Sequence, residues 1–223
     1  MDGAALGRYD CPMHDFLRGS LTALTLGITL VAMASCSAPL PPTEGDLATA
    51  GSSYFEDENY IQAIVSYEKL LEQFPFSDEA ELAALNIAHA YYLTKQYDKA
   101  IASFEELERL YPTSMILPFV EYTVGMCYLD RSLTGDRDTS ASENALRQFE
   151  RLQSRFPSSI YAPLASLRAA QAREYLAEHE LYVGKWYLKI EKLDAAQSRL
   201  ETVLREYPDT DAAEEARIAL SAL

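Results

Sequence analysis

Cysteine is scarce in this 223-residue chain, with three residues at positions 11, 36 and 127. They stand too far apart for a zinc cluster and are too few for a disulfide framework. Histidine is equally thin: His14, His89 and His179 are isolated, and the "EHE" at 178–180 lacks the spacing of a zinc-protease helix. The nine glycines never assemble into a phosphate-cradling or dinucleotide-binding loop. No nucleophile, base and orienting group fall at recognisable spacing, so a non-catalytic protein without metal or cofactor is expected. Basic charge is also short, 19 Lys and Arg against 34 Asp and Glu, for a formal net charge of -15. That balance argues against the basic face a nucleic-acid binder needs and otherwise describes a solvated surface.

Long hydrophobic runs are absent but for one. Residues 19–43 carry no charge, and after Arg18 the stretch "LTALTLGITLVAMAS" ends in Ala34 and Ser35 just before Cys36. This is a signal-peptide layout with a cysteine at the cut. It resembles a bacterial lipobox with Met33 in place of the usual Leu. Small residues suit a narrow peptidase site, and the Cys36 thiol takes the diacylglycerol. More than one acyl chain gives stable anchoring. Residues 1–35 are therefore read as a lipoprotein signal peptide, 36–43 as the lipidated cysteine and a stiff proline-rich tether, and 44–223 as the folded domain. The alternative is an uncleaved anchor, since the run is long enough to span a bilayer. Its prolines and the lack of basic residues beyond it argue against that reading. Asp2, Asp10 and Asp15 are unusual ahead of a signal run, and initiation at Met13 gives a more ordinary one. By resemblance to lipoprotein sorting rules, Ser37 favours export to the outer membrane.

The rest of the chain repeats. Ala63, Ala100, Ala145 and Ala196 each stand 12 residues before a proline, at 75, 112, 157 and 208. Four residues after each alanine comes a large side chain, Tyr67, Phe104, Phe149 or Leu200. Upstream, a small residue followed three later by tyrosine recurs: Gly51/Tyr54, Ala88/Tyr91, Gly125/Tyr128 and Gly184/Tyr187. This is the tetratricopeptide pattern. Small residues let two helices approach, the large ones fill the seam, and proline ends the second helix. Ser77, Ser114, Ser159 and Thr210 follow those prolines as candidate N-caps. One hairpin cannot cover its own apolar face, so an all-α solenoid is expected. The spacing predicts ten helices in five hairpins: 44–57, 60–74, 78–93, 97–111, 115–129, 142–156, 160–176, 178–190, 193–206 and 211–222. Cys127 reads as a small buried hydrophobe, and "DRSLTGDRDTSAS" as a loop inserted in the third repeat.

In such a solenoid the first helix of each hairpin lines the inner face. Helical phase projects Ser52 and Phe55, then Leu85, His89 and Tyr92, then Tyr122, Met126 and Leu129 onto it. Such a stripe can equally be core. Tyr54, Tyr91 and Tyr128 form a separate set for the seam, which leaves the first set for a groove binding an extended peptide with apolar or aromatic side chains.

A lipobox followed by "YIQAIVSYEKLLEQFPFS", "AHAYYLTKQYDKAI", "GDRD", "FPSSIYA" and "LAEHELYVGKWYLKIEKLDAAQSRLETVLREYPDT", in that order, resembles the BamD family, lipoproteins of the β-barrel assembly machinery. The resemblance implies a domain on the periplasmic side of the outer membrane, docked on the periplasmic domains of BamA beside other assembly lipoproteins and receiving unfolded outer-membrane proteins. It also implies that Arg199 pairs with a carboxylate on the last periplasmic domain of BamA. A contact with Glu201 or Glu206 of its own helix is the alternative for that residue. A second family, cell-envelope coordinators resembling CpoB, shares the repeats. Its members carry an N-terminal coiled coil and no lipid, and no heptads precede Leu47 here.

Overall fold

The computed structural model describes residues 41–132 and 139–223, so Cys36 and the "GDRD" stretch lie outside the described residues. The regular elements among these residues are nine helices: α1 (Glu44–Glu56), α2 (Tyr60–Gln73), α3 (Ala80–Leu93), α4 (Tyr97–Leu110), α5 (Leu117–Ser132), α6 (Ser140–Arg155), α7 (Tyr161–Lys189), α8 (Leu193–Glu206) and α9 (Asp211–Ser221). Each packs on its sequence neighbour, and α7 also meets α5 and α9. The architecture is a tetratricopeptide solenoid.

The repeat alanines and their large partners fill the seams. Ala63, Ala100, Ala145 and Ala196 are completely buried, as are Phe104, Phe149 and Leu200. The glycines are there for closeness. A Cβ placed on Gly51 would lie 2.5 Å from the Tyr67 ring, and one on Gly125 would lie 2.5 Å from the Phe149 ring. Three turns inside the hairpins place Glu58, Lys95 and Glu191 at left-handed φ of 57°, 59° and 57°. These residues end the preceding helices in the conformation usually given to glycine.

The predicted helices 160–176 and 178–190 are one 29-residue helix, α7, so the ten expected helices are nine among the described residues. Leu176, Ala177 and Glu178 favour helix, and no proline or glycine interrupts them. The first half of α7 contributes Ala165, Ala169 and Ala172 to the core shared with α6. Its second half contributes Ala177 and Leu181 to the core shared with α8 and α9. The hairpins are therefore α1–α2, α3–α4, α5–α6 and the end of α7 with α8, and α9 closes the stack.

The caps also differ from expectation. Thr210 does cap α9, its hydroxyl accepting the Ala213 N–H at 3.2 Å. Ser114 and Ser159 instead accept from N–H groups two residues on, both at 3.2 Å, and the Ser77 hydroxyl is buried without a partner. A turn intervenes between Ser77 and the first residue of α3, which moves the serine out of capping reach. Thr43 forms a capping box with Asp46 at the start of α1. The α9 terminus is further held by α7: the Glu174 carboxylate accepts the N–H groups of Asp211 and Ala212, each at 3.0 Å. The neighbouring Arg173 donates to the Glu206 carbonyl and pairs with Asp209, each at 2.9 Å.

Candidate functional site

The first helices of the hairpins do present aromatic rings along one continuous line. The Phe55 ring of α1 lies 5.7 Å from His89 of α3, and His89 lies 5.8 Å from Phe119 of α5. Phe119 lies 5.8 Å from Tyr161 at the start of α7, and Tyr161 lies 5.6 Å from Tyr122. Tyr92 stacks on His89 at 6.2 Å. These distances are those of interacting aromatic pairs, so the ribbon crosses three helix–helix boundaries without a gap. Every ring in it is half-buried.

Phe55, His89, Tyr92 and Tyr122 thus come together as the phase projected. Ser52 is exposed nearby: its hydroxyl donates to the Thr49 carbonyl at 3.1 Å, and it lines a cleft with Leu82 and Asn86 of α3. Leu85 and Met126 are half-buried, each packed against the core. Leu129, projected onto the groove, is 1% exposed and belongs to the core between α5, α6 and α7. The long α7 crosses over that end of α5 and covers it. Tyr54, projected into the seam, is 38% exposed. Tyr91 and Tyr128 do pack against core on both sides.

Phe119 and Tyr161 escaped the sequence reading. Phe119 stands three residues before Tyr122, so extending that stripe by one turn would have found it. Tyr161 could not be found in this way, because its helix departs from the repeat spacing.

Local chemistry keeps the ribbon mostly neutral. Burial lowers the His89 imidazole, which is therefore uncharged at neutral pH. Burial, followed by a hydrogen bond to Asp130, raises the Tyr92 phenol, whose hydroxyl donates to Asp130 at 2.9 Å. Arg168, on α7, donates to Gln171 at 2.9 Å and to the Tyr122 hydroxyl. Beneath the groove Cys127 is completely buried, and burial pushes its thiol up to about 12, well away from reactivity. No group of three or more His, Cys, Asp or Glu among the described residues could hold a metal ion, and no helix there is long and apolar enough to cross a membrane.

Arg199 lies elsewhere. Its Nη1 pairs with Glu180 of α7 at 2.9 Å, not with Glu201 or Glu206, and the Arg199 side chain is 47% exposed. Glu180 comes 19 residues after Tyr161 on the same helix, about 28 Å along its axis at 1.5 Å per residue.

A family model described as YfiO, outer membrane lipoprotein, matches residues 43–222. The chain is 31% identical over 204 residues to the outer membrane protein assembly factor BamD of Pasteurella multocida, covering 86% of this chain and 78% of that one. It is 28% identical over 174 residues to BamD of Caulobacter vibrioides, covering 78% of this chain and 57% of the relative. BamD of Neisseria meningitidis serogroup A is 31% identical over 167 residues, with 70% of this chain and 62% of the relative covered. The chain thus spans less than two thirds of the length of these last two relatives. These matches fall on the first of the two family resemblances.

Proposed function

The chain belongs to the BamD (YfiO) family of outer membrane lipoproteins, and from that premise we propose that it is a non-catalytic receptor and scaffold of outer-membrane protein assembly. Acylation of Cys36 anchors it to the periplasmic face of the outer membrane, and the signal before it is removed. The α1–α7 groove takes extended, aromatic-rich segments of unfolded outer-membrane proteins, while the α7–α9 end docks the periplasmic domains of BamA and accompanying lipoproteins. The observation that carries this reading is the uninterrupted ribbon Phe55–His89–Phe119–Tyr161–Tyr122, whose half-buried rings pack one on the next. Rigid aromatic surfaces bury large area at low entropic cost, which suits ligands of varied sequence.

Photocrosslinking tests the groove. A crosslinking amino acid at Phe55, His89 or Tyr122 is expected to capture a nascent outer-membrane protein segment, whereas one at exposed Glu72 on α2 is not. Equal capture from Glu72 would refute the groove.

Arg199 tests the other end. Only its Nη1 is engaged by Glu180, and half of the side chain faces solvent, so an external carboxylate can complete a bridged Glu–Arg–carboxylate arrangement. Arg199→Glu should weaken co-purification with BamA by about tenfold or more, on the scale of a partly desolvated charge pair. Helical content should be unchanged. Undiminished co-purification would remove Arg199 from the interface.

A further inference from the structure

The nine other arginines among the described residues each form an ion pair with a carboxylate. Arg168 forms none among the described residues. Its Nη1 donates to the Gln171 amide oxygen at 2.9 Å, and its other partner is the Tyr122 hydroxyl, so both partners are neutral. The guanidinium is half-buried, and the Tyr122 contact together with the field of Asp130 holds it firmly in the charged form. Asp130 is engaged by the Tyr92 hydroxyl at 2.9 Å and makes no ion pair with Arg168. A half-buried cation that no carboxylate contacts is costly, since Asp130 acts on it only from a distance, and this chain, with 34 acidic residues, has no shortage of candidates to supply one.

Its location supplies the reason. Arg168 lies seven residues after Tyr161, on the same face of α7. Tyr161 packs against Tyr122 at 5.6 Å, and Tyr122 touches the guanidinium. The cation therefore stands where the aromatic ribbon ends, between α5 and α7. We propose that Arg168 is the carboxylate-recognising point of the groove. A peptide lying along the rings from Phe55 to Tyr161 presents a carboxylate to the planar guanidinium, and the Tyr122 hydroxyl, which accepts from Arg168, donates its own proton to the same group. The fork of Arg168 matches a carboxylate in two parallel hydrogen bonds, which a lysine ammonium does not reproduce. This inference rests on the groove binding peptides. The carboxylate is either the free end of the peptide chain or an internal Asp or Glu.

Fluorescence polarisation with three labelled decapeptides distinguishes these cases. All consist of Tyr, Val and Thr and end in Phe: one has a free carboxyl terminus, one a carboxamide terminus, and one a carboxamide terminus with a single internal Glu. The wild-type protein should bind the free acid, or the internal-Glu peptide, about tenfold more tightly than the plain carboxamide. Whichever carboxylate-bearing peptide shows the advantage identifies the source. Arg168→Gln should erase the advantage and leave the plain carboxamide affinity unchanged, while Arg168→Lys should keep part of it. Phe55→Ala should weaken all three peptides alike. Equal binding of the three by the wild-type protein, with Phe55→Ala still weakening each, would overturn the carboxylate site and leave the groove standing. Failure of the wild-type protein to bind any of the three would overturn both.

Discussion

Phe149→Ala is expected to lower the stability of the domain by about 3–5 kcal/mol. The ring is completely buried between α5 and α6, and its edge occupies the space that a side chain on Gly125 would need. Truncation leaves a cavity that two helices fixed by further repeats on either side can close only in part. For a domain of this length the thermal midpoint should fall by about 10 °C, measured by circular dichroism. The seam also predicts a compensation. Gly125→Ala alone should destabilise by about 1–3 kcal/mol, because the new methyl meets the ring. In the Phe149→Ala background the same methyl enters empty space and should cost nothing or help, a coupling that a double-mutant cycle reads directly. Additive effects would mean that the ring and the glycine do not share the seam as described. Tyr122 lies 5.9 Å from Phe149, so loosening this seam should also weaken peptide binding in the groove.

Arg155→Ala is the second change expected to be severe. Glu121 of α5 is completely buried, and Arg155 of α6 meets one of its oxygens at 2.6 Å, with Arg151 farther away at 3.5 Å. Both arginines also pair with Glu108 of α4, so four side chains tie together three helices. Burial raises the Glu121 carboxyl above its ordinary 4.5, and the two guanidinium groups oppose that rise. Removing Arg155 leaves a buried carboxylate that only Arg151 reaches. The expected loss at neutral pH is about 3 kcal/mol, the lower part of the range for breaking a buried pair, because Arg155 is itself partly exposed. The pH dependence has a definite sign. In the variant the folded-state value of Glu121 stands further above the unfolded one, so its ionised form penalises the fold at neutral pH. As pH falls towards 4.5 the group takes a proton in the folded state and the penalty fades. Urea unfolding at neutral and mildly acidic pH should show the gap between variant and wild type narrowing in acid. A gap that widens would contradict this account. Glu121→Leu combined with Arg155→Met should cost much less than Arg155→Ala, since an apolar pair leaves no orphaned charge.

What the sequence determined by itself is periodic. The interval of 12 residues from alanine to proline set the length of each second helix, and the small-residue-to-tyrosine spacing set which face of each first helix turns inward. Most helix boundaries, the seam residues Ala63, Phe104 and Phe149, and the shared face of Phe55, His89, Tyr92 and Tyr122 followed, because the repeats obey the same local packing rule. The readings that needed revision lie where a residue's surroundings are set by a distant part of the chain. Leu129 has the phase of a groove residue and is buried because α7 crosses it. Tyr54 has the phase of a seam residue and is exposed, with no hairpin before its helix among the described residues. Tyr161 and Arg168 meet the aromatic ribbon because the first turns of α7 pack on α5 as well as on α6. Arg199 finds Glu180 across a helix pair, although carboxylates nearer in sequence were available. Periodicity is a property of neighbours along the chain, and a sequence displays it openly. Charge pairing and the covering of a particular face depend on which helices the completed stack brings together, and only the tertiary structure decides that.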